Sequence, residues 1–335
     1  TGADAVNAGI IDFVWPDAST PGDKPEVKCE LVATKDYPQT EELVEIMNQH
    51  MRVVQEMEGA FLTHVPPGVL LRSVGMRREP TTVGVMICSL IRDGFRDSSG
   101  GDSACDGVMV DAGAIRRNFE YPEGYANFTY GDLKKEVPFD SDMVVVSMKG
   151  SVVAEAVKVS RERAYRTPPE DWGGYLQLDD GFQWDAPTNT VTHINGAALD
   201  PEKTYNIGVL GLSLNGMNKN MALIQWADEN SDMIPPSDAA RPAKDMVVYA
   251  CSKRVWAQLG SFEDLDVDGD GTLTVQEVHV AMSRVLNRNV SEMSAKNLIN
   301  AIDADNSGTI SMDEFGKITK MAQDRDQKRQ ADGGA

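Results

Sequence analysis

The chain has 335 residues and a formal net charge of −20, from 32 Lys and Arg against 52 Asp and Glu. That balance argues against a nucleic-acid polymer as partner, because neutralising phosphates needs clustered basic residues. No apolar run approaches the roughly 20 residues needed to span a bilayer. With 41% hydrophobic and 25% charged residues the chain reads as folded, and its length predicts about two domains. The first residues, TGADAVNAG, lack a basic stretch followed by an apolar one, so the chain is either cytosolic or a form from which a signal has been removed. Cys29, Cys88, Cys105 and Cys251 are widely spaced with no CxxC, which leaves two disulfides or four buried thiols.

In chain order, VKCELVAT (residues 27–34) predicts a strand. PQTEELVEIMNQHMRVVQEMEGAFL (38–62) predicts a helix behind a Thr-x-x-Glu-like start. His50 and His64 lie in or just after it and suit surface or packing positions better than metal ligation. From about residue 70 to 250 short helices and strands alternate. The spacing predicts a helix over 83–96, a buried strand and turn over 108–116, and a strand over 142–150. A helix over 151–162 and a strand over 205–214 follow. This reads as an α+β, mixed α/β unit. After Cys251 the pattern becomes helix, acidic loop, helix, twice over, and a polar tail from 325 to 335 reads as disordered. The organisation expected is therefore 1–67, which looks like the end of something, 68–250 as the mixed unit, and 251–324 as an all-α pair.

The two acidic loops have the spacing of EF-hands. Such a loop needs oxygen ligands at positions 1, 3, 5, 7, 9 and 12, and Gly at 6, where the backbone turns too sharply for a side chain. DVDGDGTLTVQE supplies Asp266, Asp268, Asp270, the Thr272 carbonyl, Thr274 through water, and a bidentate Glu277, with Gly271 at the turn. DADNSGTISMDE supplies Asp303, Asp305, Ser307, the Thr309 carbonyl, Ser311 and Glu314, with Gly308 at the turn. Two calcium ions are expected, the second held more weakly because its loop has one carboxylate fewer. Leu273 and Ile310 fall at position 8, where paired EF-hands form a short two-stranded contact. Met282, Met293, Met312 and Met321 suit either the apolar groove of a sensor or the pair's own core, the commoner place for Met at helical spacing. His279 on an outgoing helix suits solvent or packing.

Read by itself, the unit from 70 to 250 has one histidine, His193, and offers no Ser-His-Asp triad and no histidine-rich metal cluster. The segments VDAGAIRRNFEYPEG, NFTYGDLKKEVPFDSDMVVVSMKGSVVAEAV and GGYLQLDDGFQWD together resemble the C-terminal domain of the 5'-nucleotidase family, from about Arg72 to Asn218. In that family this domain binds the nucleotide, while a separate metallophosphatase domain with two metal ions cleaves the ester. The resemblance implies phosphate-side contacts at Arg77 and Arg116 and base stacking at Phe139. Three positions and one segment depart from the family pattern: Asp111 and Val85 stand where it has Asn, Leu212 replaces a second stacking Phe, and Asn215-Gly216-Met217-Asn218 replaces its Asn-Gly-Gly-Asp-Gly. An added carboxylate at Asp111 would repel phosphate.

The family's Asp-x-His, Gly-Asn-His and Gly-His-x-His metal elements do not occur in this sequence. The divalent metals of a catalytic domain are therefore expected outside this chain, which alone is expected to hydrolyse no nucleotide. The resemblance also places Cys88 at a family half-cystine and suggests a Cys88–Cys105 disulfide. That pairing, with the sequons at Asn127 and Asn289, would favour an extracellular or secretory setting. Calcium and a nucleotide or nucleoside are the partners expected; the sequence names no protein partner. The other reading is a non-catalytic, calcium-dependent scaffold.

Overall fold

A computed structural model describes residues 6–15, 22–98, 105–286 and 290–317. The Asn289 sequon, Met321 and the tail from 325 lie outside them. The chain divides into two compact units, Thr1–Gln55 and Glu56–Ala335.

The first unit holds β1 (Asn7–Val14) and β2 (Glu26–Ala33), paired antiparallel in register from Asn7↔Ala33 to Val14↔Glu26. Most of α1 (Glu41–Glu58) follows, and its last turn belongs to the second unit. The hairpin is exposed on both faces, including Ile10, Ile11, Phe13, Val14, Val27 and Leu31. The helix expected to reach residue 62 stops at Glu58. Gly59 breaks it, and Phe61 opens a strand.

In the second unit β3 (Phe61–His64) pairs antiparallel with β5 (Asn127–Thr129). Between them come α2 (Thr82–Ser98) and β4 (Gly107–Asp111). Then follow α3 (Tyr130–Glu136), β6 (Asp142–Lys149), α4 (Gly150–Arg161) and β7 (Leu176–Leu178). A three-stranded sheet is built from β8 (Phe182–Asp185), β9 (Thr190–Ile194) and β10 (Ala197–Ala198). The chain continues through β11 (Thr204–Leu210), α5 (Gly211–Leu214), α6 (Met221–Glu229), β12 (Arg241–Pro242) and α7 (Ala243–Leu259). The strand expected over 205–214 thus ends at Leu210, where the backbone turns into α5.

The central sheet has the order β12-β6-β11-β4-β7, with β11 parallel to β4 and the other pairs antiparallel. Successive side chains of a strand point to opposite faces, and β4 shows the result. Val108 and Val110 enter a core with Ile87 and Ile91 of α2 and Val247 of α7, whereas Met109 enters a second core with Val153 and Val157 of α4 and Trp226 of α6. Helices cover the sheet on both faces, so β4 reads as a continuous apolar run rather than an alternating one.

Two arginines, Arg92 and Arg161, are buried at the helix contacts. Arg92 of α2 pairs with Asp179, Asp180 and Asp93, and Asp93 also takes Arg254 of α7 at 2.6 Å. Arg161 lies between the rings of Trp184 and Tyr175, at 4.1 and 5.0 Å, and donates to the Leu176 carbonyl.

Glu136, at the end of α3, is fully buried. One carboxylate oxygen accepts from the hydroxyls of Ser73 (3.1 Å) and Tyr121 (3.0 Å), and the other has no partner. Burial pushes this carboxyl up to about 7, against those hydrogen bonds and the nearby Arg117 cation. A raised value in the fold means that folding favours the proton. Stability is then lost as pH rises from the ordinary carboxyl range through 7. Glu136→Gln is expected to stabilise the chain by about 2–3 kcal/mol at pH 8 and by much less at pH 5. Urea melts at the two pH values check it, and equal effects at both would contradict it.

The C-terminal part completes the second unit: α8 (Phe262–Leu265), β13 (Thr272–Leu273), α9 (Val275–Val285), α10 (Glu292–Asn300) and β14 (Ile310–Ser311).

Candidate functional site

The two acidic loops share one local construction. In the first, Asp266 accepts from the N–H groups of Gly269 (2.8 Å), Asp270 (3.2 Å) and Gly271 (3.0 Å), which curls the loop around its carboxylate. Gly269 and Gly271 have φ of +73° and +84°, a conformation that other residues adopt only with strain. Glu277 closes the loop. One of its oxygens accepts from the N–H of Val267 (2.9 Å), and the other from the N–H (2.9 Å) and hydroxyl (2.8 Å) of Thr274. The second loop repeats this. Asp303 accepts from Ser307 (3.1 Å) and Gly308 (2.8 Å), and Glu314 accepts from Ala304 (2.8 Å) and from the N–H (2.9 Å) and hydroxyl (2.7 Å) of Ser311.

Leu273 and Ile310, both fully buried, pair directly, so the position-8 contact forms where the spacing puts it. Carboxylate oxygens of Asp266, Asp268 and Asp270 lie within 4.8 Å of one another, as do those of Asp303, Asp305 and Glu314. The donor sets are all oxygen, with the Thr272 and Thr309 carbonyls available at position 7. Hard oxygen ligands in a flexible loop suit calcium rather than a softer metal. The hydroxyls of Thr274 and Ser311 accept from the backbone N–H groups of Glu277 and Glu314, both at 3.4 Å, as helix caps do, and are ligand candidates as well. Hydrogen bonds from Ser311 hold Glu314 below the ordinary carboxyl range. In Glu277 burial pushes the other way and the Thr274 bonds outweigh it. Both closing ligands are therefore charged at neutral pH.

Of the methionines, Met282 is core, Met312 is exposed and Met293 is half-buried. His279 contacts the Val290 carbonyl through Nε2 at 2.7 Å, a packing role.

The second candidate face lies where β4 and β11 end and β6 begins. Asp111, the last residue of β4, is buried and accepts from the hydroxyl of Ser213 and from Nδ2 of Asn218 at 3.1 Å. Burial raises its carboxyl to about 6, although both hydrogen bonds oppose that. The turn after it is close-packed. The Gly113 N–H donates to the Gly173 carbonyl at 2.7 Å, and a Cβ on Gly174 would lie 2.7 Å from Cβ of Asn218. The Trp172 N–H donates to the Arg77 carbonyl at 3.0 Å, which ties the Arg77 segment to the same loop.

Arg116 is exposed, and its guanidinium lies 5.6 Å from the ring centroid of Phe139, itself 54% exposed. Leu212 is 52% exposed. Arg116 and Phe139 therefore meet on an open surface, while the Arg77 backbone is held by Trp172, next to the Gly173 that pairs with Gly113. Sequence reasoning missed Trp172, Gly173 and Ser213; the Trp-Gly-Gly run was the available signal.

The expected Cys88–Cys105 disulfide is not present. Both residues are buried thiols, Cys88 donating to the Gln177 carbonyl at 3.4 Å and Cys105 to the Gly107 carbonyl at 3.2 Å. Each sulfur has its own carbonyl partner. Burial pushes the Cys105 thiol up to about 12, so it stays protonated and unreactive.

A family model described as the 5'-nucleotidase C-terminal domain matches residues 62–224, and one described as an EF-hand domain pair matches residues 259–320. The chain thus joins a 5'-nucleotidase C-terminal domain to an EF-hand pair. Among solved structures, it is similar to a 5'-nucleotidase precursor from Thermus thermophilus, at 18% identity and a TM-score of 0.41, over 65% of this chain and 42% of that one. It is also similar to a putative 5'-nucleotidase from Staphylococcus aureus, at 14% identity and a TM-score of 0.43, over 72% and 47%. A sulfate thiohydrolase, SoxB, from Thermus thermophilus matches at 15% identity and a TM-score of 0.43, over 68% and 39%. The chain spans less than half the length of each of these three. No helix among the described residues is long and apolar enough to cross a membrane.

Proposed function

We propose that this chain is a calcium-binding protein of the 5'-nucleotidase family. Its EF-hand pair takes two calcium ions, and the face around Asp111, Arg116 and Phe139 takes a nucleoside or nucleotide. The observation that carries the calcium assignment is the repeated loop construction, in which one set of backbone bonds to a first-position Asp and a twelfth-position Glu occurs twice. Residues 68–250 form the nucleotide-binding-type unit and 251–324 the calcium unit, with α7 serving both.

Hydrolysis is assigned to a metallophosphatase half outside this sequence, with residues 1–67 as the end of that half and its linking helix. The exposed apolar hairpin supports this. A two-stranded ribbon is not stable alone in water, and Ile10, Ile11, Phe13 and Val27 give a partner something to bury. The proposal places the protein in an extracellular or secretory setting, where free calcium suits even weak EF-hands.

Phe139 is the test of the nucleotide face. Adenosine titrated into the intact chain is expected to bind, and Phe139→Ala should weaken it by about 5- to 150-fold, since stacking on an aromatic side chain contributes about 1–3 kcal/mol. Binding that survives the substitution unchanged would remove Phe139 from the site. One observation favours the scaffold reading over phosphate chemistry: the Asp111 carboxylate sits at the end of β4, where the family pattern has a neutral Asn. At pH 8 adenosine should therefore bind more tightly than AMP.

A further inference from the structure

The core of the EF-hand pair includes one residue from far upstream. Its buried members run from Val255 to Phe315, with the single exception of Phe61. Phe61 is 8% exposed and opens β3, whose backbone pairs with β5 in the nucleotidase-type domain. The next residue, Leu62, enters that domain's own core with Val65 and Leu71. Strand alternation thus sends neighbouring side chains into two different cores. The Tyr130 N–H donates to the Ala60 carbonyl at 2.8 Å, which fixes the backbone from which Phe61 projects.

Beside this ring lies a cavity of about 540 Å³, lined on one side by Met57, Tyr130 and Met246 and on the other by Met282, Leu298 and Asn297. Helix α7 is continuous across the boundary and leads, through Gly260 and α8 (Phe262–Leu265), into the first loop. Met246, Val247 and Cys251 sit in the nucleotidase-type core, and Val255, Trp256 and Leu259 sit in the EF-hand core. Calcium changes the angle between EF-hand helices and with it the apolar groove they form, a groove that takes an apolar anchor from a target. Here an aromatic anchor from the same chain already occupies the core, next to open space.

We infer that the EF-hand pair's target is intramolecular: Phe61 is its anchor, and calcium binding at the two loops is coupled to the placement of Ala60–His64 at the start of the nucleotidase-type domain. The inference rests on the calcium reading above and goes beyond it by naming what calcium acts on. Coupling is reciprocal, so an anchor that prefers the calcium-loaded pair must also raise its calcium affinity.

The test uses the full chain and calcium itself. Calorimetry should find two ions bound to both the wild type and Phe61→Ala, with affinity at least about 5-fold weaker in the variant. Hydrogen exchange at residues 60–64 should slow on adding calcium to the wild type and not to the Glu277→Gln, Glu314→Gln double variant. That comparison leaves Phe61 intact, so it stands even if Phe61→Ala fails to fold. An affinity within about twofold of wild type in a folded Phe61→Ala, or exchange at 60–64 indifferent to calcium, overturns the coupling while leaving the calcium sites standing. A wild type that binds no calcium overturns both.

Discussion

Glu277→Gln is expected to weaken calcium binding at the first loop by a factor on the order of 100. Two losses combine. The bidentate anionic ligand becomes a neutral group with one good acceptor, and the new amide N–H groups face donors. In the present loop both carboxylate oxygens accept, one from Val267 and the other from Thr274. Whichever way the Gln amide turns, a donor meets a donor, and a backbone N–H loses its partner. Glu314→Gln should do the same at the second loop, where Asp303, Asp305 and Glu314 are the only carboxylates among the loop ligands and Ser307 stands where the first loop has Asp270. The second site is expected to be the weaker one in the wild type for that reason. Calorimetry on the two variants separates the sites, and a second site tighter than the first would sink the charge argument.

Trp256→Ala is expected to cost about 3–5 kcal/mol of stability, the range for removing a large aromatic from a core. Trp256 is fully buried on α7. Its ring meets Phe315 edge-on at 5.8 Å between centroids, and Nε1 donates to the Leu298 carbonyl at 3.3 Å. Its loss opens a cavity, orphans a buried carbonyl and loosens the helix that both cores share. Trp15→Ala is the control, because Trp15 is 52% exposed and its removal should change stability by no more than about 0.5 kcal/mol. Urea unfolding checks both; a Trp256→Ala effect below about 1 kcal/mol would show that the EF-hand core does not depend on α7.

The calcium loops were legible in the sequence because all their ligands fall within twelve consecutive residues and the turn glycines sit between them. Even the Leu273–Ile310 pairing followed from position in the loop. Helices α2 and α4 and strand β6 were legible for a related reason, since periodicity is a local signal and each is long enough to show it. Short strands such as β5 and β7 carry too few residues for any period.

The face around Asp111 was harder to read, because its contacts join distant residues. Asp111 meets Ser213 across 102 positions, and Trp172 is tied to Arg77 through a backbone bond that no side-chain pattern encodes. Phe61 was hidden at the end of an apolar run that continues the period of α1, and only Gly59 marks the change to a strand. The disulfide expectation came from the resemblance alone; in the structure both cysteines are free thiols, and each donates to a backbone carbonyl instead.

The most direct test of the account is a calcium titration of the chelator-stripped wild-type chain, read by calorimetry. Two ions bound per chain, with separable affinities of which the weaker is lost in Glu314→Gln, is the result predicted here. A chain that binds one ion or none would contradict it.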